Sequence, residues 1–155
     1  MGERDAGQFR GVDEVDASTG TAMLVPASVE RQVGLLDEDL YLYIEDIDWA
    51  FRMRRSAGKR TYVAYEARLW HRMAASSGGE DSPTVAYYHA RNTFVVTARH
   101  LPMRKPRAAL RSAEILLANL VSALRSAHPL ANARAVSAGW LDYLRGRLGA
   151  RGESA

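Results

Sequence analysis

Tyr41-Leu42-Tyr43-Ile44-Glu45-Asp46-Ile47-Asp48-Trp49-Ala50-Phe51-Arg52-Met53-Arg54-Arg55-Ser56-Ala57-Gly58 is the stretch on which the reading of this chain turns. Three carboxylates open the segment, two arginines close it, and a glycine follows. That order matches the helix dipole and supplies a left-handed stop, so a helix is expected over residues 45–57. At its start, free backbone N–H groups favour negative charge. The acids follow an aromatic stretch and precede Trp49, which predicts an apolar-walled cleft around at least one of them, the surroundings that tune a general base. The plainer alternative for such a quartet is helix capping and solvation.

Working outward, Val15 to Val25 reads as a small-residue loop around Gly20 that feeds a buried strand ended by Pro26. Ala27 to Val33 is a short helix candidate, with Ser28 as a possible cap and Gly34 at its stop. On the other side, Thr61 to Tyr65 and Ala67 to Trp70 are β-branched or aromatic enough for short strands. Residues 74–81 form a small, polar, glycine-rich loop of the kind that covers active sites. Ser82-Pro83 supplies a cap and a first-turn proline for a helix over residues 84–100, ended by Leu101-Pro102. Residues 103–107 read as a basic hinge. Amphipathic helices are expected over 108–127 and 133–148, separated by His128-Pro129. Residues 1–11 read as a loose leader, 12–102 as the main unit and 103–155 as a basic helical tail.

The chain of 155 residues is long enough for one compact unit and short for two. It contains no cysteine, which removes disulfides, thiolate metal sites and cysteine nucleophiles. No apolar leader opens it and no run reaches the roughly 18 apolar residues that a spanning helix needs. A cytoplasmic protein is expected, free or peripheral at the inner face of the cell membrane. The formal charge of +3 conceals a division: residues 1–48 hold 3 Lys/Arg against 12 Asp/Glu, and residues 49–155 hold 18 against 6. A basic half fits an anionic partner such as a diphosphate, anionic lipid or nucleic acid.

Four blocks in this order resemble the family-two glycosyltransferases of GT-A fold, in the branch similar to rhamnosyl- and galactofuranosyltransferases. They are Val15-Asp16-x-x-x-Gly20-x-x-Met23-Leu24-Val25; Val33-Gly34-Leu35-Leu36-Asp37-Glu38 leading into Tyr41-x-Tyr43-x-Glu45-Asp46-x-Asp48-Trp49 and Arg52; Gly58 through Ala67 to His71; and Tyr87-Tyr88-His89-Ala90-Arg91-Asn92. The resemblance implies an α/β fold, the C-terminal, acceptor-side part of a GT-A mixed sheet, followed by amphipathic helices. It implies an inverting, hexosyltransferase-like enzyme that moves a sugar from a nucleotide-sugar donor to a glycan or lipid-linked acceptor in cell-wall or polysaccharide synthesis. Asp46 matches the aspartate that takes the proton from the acceptor hydroxyl. A sugar hydroxyl is a poor nucleophile until its proton is accepted, and a positioned carboxylate contributes roughly 10²- to 10⁴-fold.

Gly20 and Met23 match the floor beneath the sugar, a plain turn being the equal alternative for Gly20; Glu45 and Asp48 match positions that orient acceptor hydroxyls or, alternatively, cap the helix, and Trp49 stands beside them in the same block. Arg91 matches a block beside the active site, where it could grip a phosphate or, alternatively, anchor its helix to the core. His71 matches a position where some relatives ligate a divalent ion, Mn or Mg, on the donor diphosphate; a histidine closing a strand is the other reading. Ala17 stands where many relatives carry tryptophan. The first half of such enzymes, with the nucleotide-binding strands and the aspartates that hold the metal, has no counterpart here, so the chain is expected to be a fragment that needs that half.

Two rival classes stand beside this one. The tail from Arg99 onward carries 10 Lys/Arg against 3 Asp/Glu, which suits a non-catalytic membrane-surface or protein-interaction module. Nucleic-acid binding fits the pI of about 9.4, but no reader motif accompanies the charge, so no nucleic-acid partner is expected.

Overall fold

A computed structural model describes residues 5–71 and 78–152. Its architecture is mixed α/β, mostly helical, with one two-stranded sheet. Strand β1 (Val12–Val15) pairs antiparallel with β2 (Thr61–Ala64), Val12 opposite Ala64 and Val15 opposite Thr61. Between them run helix α1 (Ala27–Val33) and helix α2 (Glu45–Ala57). Both ends of α2 follow from local chemistry. Its acids stand in the first turn, Arg54 and Arg55 in the last, and Gly58 adopts a left-handed φ of 60° while its N–H closes on the Met53 carbonyl. In α1 the cap is Pro26, not Ser28, and no side chain caps the helix.

Three long helices follow. Helix α3 (Pro83–His100) starts where Ser82 Oγ accepts from the Val85 N–H at 3.3 Å, with proline in the first turn. Helices α4 (Lys105–Leu124) and α5 (Pro129–Leu144) each begin and end three or four residues earlier than the sequence reading has them. Pro106 and Pro129 sit in the first turns of these helices, where a missing N–H costs nothing. They open helices and do not interrupt them.

Helix α5 lies so close to α3 that a Cβ on Gly139 would stand 2.6 Å from the Tyr87 carbonyl and 3.2 Å from the Arg91 nitrogen. Ala90, Ala123 and Val136 form a shared core of α3, α4 and α5. The basic tail is therefore packed on the helix before it. A second cluster, Val29, Ala50 and Met53 with Ala17, Met23, Val25, Val33 and Trp49 around it, joins α1 to α2.

Three expectations are corrected. Residues 23–26 carry no regular structure and Leu24 is 99% exposed, because no neighbouring strand among the described residues pairs with that run. Residues 67–70 are likewise not a strand, and Trp70 is 95% exposed. The end of the leader is tied down: Phe9 stacks on Tyr65 at 5.2 Å and the Gly11 N–H donates to Glu66 Oε1 at 2.8 Å. Residues 74–77 of the expected loop lie outside the described residues.

Candidate functional site

The turn that delivers the chain into α2 is strained. Tyr41, Tyr43 and Ile44 adopt φ values of 59°, 64° and 72°, left-handed conformations in which a Cβ crowds the backbone. A β-branched residue such as Ile44 rarely stays there unless its surroundings impose it.

The surroundings here are two adjacent side chains of α3. Asn92, fully buried, sends its amide nitrogen to the carbonyls of Leu40, Leu42 and Tyr43 at 2.8, 2.9 and 2.8 Å. Arg91, 1% exposed, donates to the Asp39, Leu40 and Gly149 carbonyls and, through Nε, to Asn92 Oδ1. Its guanidinium also faces the rings of Tyr87 and Tyr88, at 5.6 and 5.0 Å. Of the two roles open to Arg91, the geometry is that of the anchor. Gripping a phosphate requires breaking bonds that now hold the turn.

The three acids that follow the turn meet three different environments. Asp46, half-buried, accepts through Oδ2 from the Gly20 N–H at 2.6 Å and through Oδ1 from its neighbour Ile47 at 2.7 Å. The structure thus joins two of the expected site residues across 26 positions of sequence. There is room at the contact: a Cβ on Gly20 would lie 3.6 Å from Asp46, an ordinary separation.

Glu45 is half-buried, and its Oε2 is shut from solvent without a hydrogen-bond partner. Burial pushes its carboxyl above the usual range; its own backbone N–H opposes this, and the charge of Asp46 adds to it.

Asp48 is 1% exposed. It accepts from Arg52 Nε at 2.7 Å and meets His100 Nε2 at 2.8 Å. Burial raises its carboxyl, but the hydrogen bonds and charges of His100 and Arg52 outweigh burial and hold it below the usual aspartate range. His100 in turn stacks on Phe51 at 4.9 Å. The expectation that Asp48 touches a sugar is corrected by this sealed network.

The remaining expected residues are dispersed. Met23 and Trp49 pack in the α1–α2 cluster, and the Trp49 indole donates to the Gly34 carbonyl at 2.8 Å, so Trp49 serves the core. His71 is exposed in the coil after β2. Among the described residues, no three His, Asp or Glu side chains converge as a metal ion requires, and Asp37 and Asp39 face Arg99 instead. A cleft of about 350 Å³ lies elsewhere, between Tyr87, Asp142, Arg147 and Arg151.

Sequence reasoning missed the clamp formed by Asn92 and the network of Asp48 with His100. A buried Arg-Asn pair on an apolar helix face was the available signal for the first.

Over 82 residues, 53% of the chain, the sequence is 30% identical to N-acetylglucosaminyl-diphospho-decaprenol L-rhamnosyltransferase of Mycobacterium tuberculosis, in strain CDC 1551 / Oshkosh and in strain ATCC 25618 / H37Rv. The match covers 26% of those proteins, so the chain spans about a quarter of the length of the curated relatives it matches. No family model and no solved structure matches the chain. The similarity points to a glycosyltransferase relationship.

Proposed function

We propose that the chain is the acceptor-side part of an inverting glycosyltransferase of GT-A type, in which Asp46 takes the proton from an acceptor hydroxyl as that oxygen attacks the anomeric carbon of a nucleotide-sugar. The contact between Asp46 and Gly20 carries the reading. It brings together the base and the sugar-floor loop of the family pattern, on a helix start that a clamped turn holds in place. One carboxylate oxygen stays with the Gly20 amide, and the carboxylate is thereby oriented before the acceptor arrives. The bond from acceptor oxygen to anomeric carbon forms as the bond to the nucleotide diphosphate breaks, and the carbon inverts.

The relatives' name, a transferase acting on N-acetylglucosaminyl-diphospho-decaprenol, supports a lipid-linked acceptor for this chain. The nearly full exposure of Leu24 and Trp70 and the small two-stranded sheet support a further structural layer that would cover such residues, in this reading the nucleotide-binding half. In this reading a divalent ion on the donor diphosphate is held chiefly by that half, and Asp46 works without touching it.

Asp46→Asn in the intact transferase tests the assignment. Transfer of labelled sugar to a polyprenyl-diphosphate-linked acceptor should fall at least 10²-fold, with circular dichroism unchanged. An unaltered rate refutes the role of Asp46. A non-catalytic interaction module is the second reading, and the outward leucines of α4 are the observation in its favour.

A further inference from the structure

Helix α4 is apolar on two sides. Toward the bundle it sets Ile115 and Ala123, both buried, with Leu116 and Leu120 packed against the shared core. Away from it stand Leu110, Leu117 and Leu124, exposed at 67%, 64% and 59%. Seven residues make about two turns, so these three form a single row about 21 Å long. A soluble helix with one partnered face normally turns polar groups outward. This one does not.

The charges around the row have one sign at both ends. Arg104, Lys105, Arg107 and Arg111 surround its beginning and Arg125 its end, all exposed. The helix carries one acid, Glu114, whose carboxylate is paired with Arg111 at 3.1 Å. The acid-rich helix α2 packs chiefly on α1 and α3, whereas α4 packs chiefly on α5 and α3, so the main acidic helix of the described residues does not lie against this face.

That charge pattern selects the occupant. A second copy of the chain, parallel or antiparallel, sets arginines against arginines with no free carboxylate between them. An anionic bilayer takes the leucines into its headgroup boundary and gives each cation a phosphate. No helix among the described residues is long and apolar enough to cross a membrane, which leaves lying on the surface as the mode of contact.

We propose that the outward face of α4, the row Leu110, Leu117 and Leu124 with its flanking arginines, docks the protein on an anionic lipid surface. This goes beyond the transferase reading and does not depend on it.

Co-sedimentation of the full chain with vesicles tests it. Binding is expected to phosphatidylcholine vesicles that contain phosphatidylglycerol, to weaken as salt is raised, and to be at least tenfold weaker on phosphatidylcholine alone. The triple variant Leu110→Ser, Leu117→Ser, Leu124→Ser replaces exposed side chains and should keep its helix content by circular dichroism while losing at least tenfold in vesicle affinity. A combined Arg104→Gln, Arg107→Gln, Arg111→Gln variant should lose the salt dependence together with most of the binding. Three results overturn the proposal: no binding to anionic vesicles; unchanged binding by the leucine variant, which assigns the interaction to charge elsewhere; or a doubled solution mass that the leucine variant abolishes, which assigns the row to self-association. Because the readout is vesicle affinity, loss of sugar transfer in Asp46→Asn leaves the outcome unaffected.

Discussion

The two halves of the molecule obtain their shapes in different ways. The bundle of α3, α4 and α5 is held by what its helices bury against one another: Tyr87, Ala90, Phe94, Ala135 and Val136 are closed to solvent, and Gly139 lets two backbones touch. The front of the molecule, from β1 to β2, buries little beyond Val29, Leu40, Asp48, Ala50 and Met53. Its most distinctive feature, the left-handed turn before α2, is fixed from outside by donors that belong to the bundle. The difference teaches where the candidate base gets its position. Asp46 stands on the front, but the side chains that hold its helix start stand on α3.

Each of the three left-handed residues costs on the order of 1–3 kcal/mol. Asn92 and Arg91 offset this by satisfying carbonyls that the turn directs inward. The largest expected effect is therefore Asn92→Ala, which removes the side-chain donor from the Leu42 and Tyr43 carbonyls and one of the donors from the Leu40 carbonyl, and should cost about 2–4 kcal/mol in urea unfolding. Hydrogen exchange should speed up first at residues 39–48, while the amides of α5 keep their protection. If stability falls by less than about 1 kcal/mol, or if α5 opens together with the turn, the halves are not organised as described.

Gly139→Ala strikes the other half, at the helix contact. The added Cβ would stand 2.6 Å from a backbone carbonyl, which cannot swing aside as a side-chain tip could. Overpacking of this kind costs about 1–3 kcal/mol, partly offset by the better helix propensity of alanine. A drop of about 2–6 °C in Tm is expected by calorimetry. An unchanged Tm would show that α3 and α5 can separate without loss, and would remove the ground for calling the bundle the rigid half.

What could be read in the sequence follows the same division. Helix α2 was legible at both ends, since charge order and Gly58 are local signals. The starts of α4 and α5 were misread at Pro106 and Pro129, although the rule that placed Pro83 in a first turn applies equally to them. Strand β1 went unseen because Val12-Asp13-Glu14-Val15 has acids where a lone strand pattern wants apolar residues, and only β2 makes it a strand. At the candidate site, the family pattern named Asp46 and Gly20, and the structure brings them into contact. The adjacent Arg91 and Asn92 on an apolar helix face signalled that something polar is held there, but not what, since the acceptors are backbone carbonyls, which every sequence has. The separate fates of Glu45, Asp46 and Asp48 could not be read, since they depend on Gly20, Arg52 and His100 arriving from elsewhere in the chain.

Those separate fates give the smallest expected effect, one of opposite signs. Glu45 has a carboxyl raised chiefly by burial, so its contribution to stability is full below the unfolded carboxylate range and is lost as pH rises through its folded pKa. Asp48, lowered by His100 and Arg52 against the cost of burial, contributes in full above the unfolded aspartate range and loses that contribution as pH falls through its folded pKa. Glu45→Gln removes the first term and keeps the second. The variant should be more stable than the parent at neutral pH, by less than about 1 kcal/mol, the usual scale for a single change outside the core. That gain should shrink to nothing as pH is lowered into the carboxylate range, while the acid limb set by Asp48 stays where it was. Urea unfolding at a series of pH values reads both limbs in one experiment. A variant less stable than the parent at neutral pH would mean that Glu45 has a partner holding its ionised form, and the contrast between the two carboxylates on α2 would be lost.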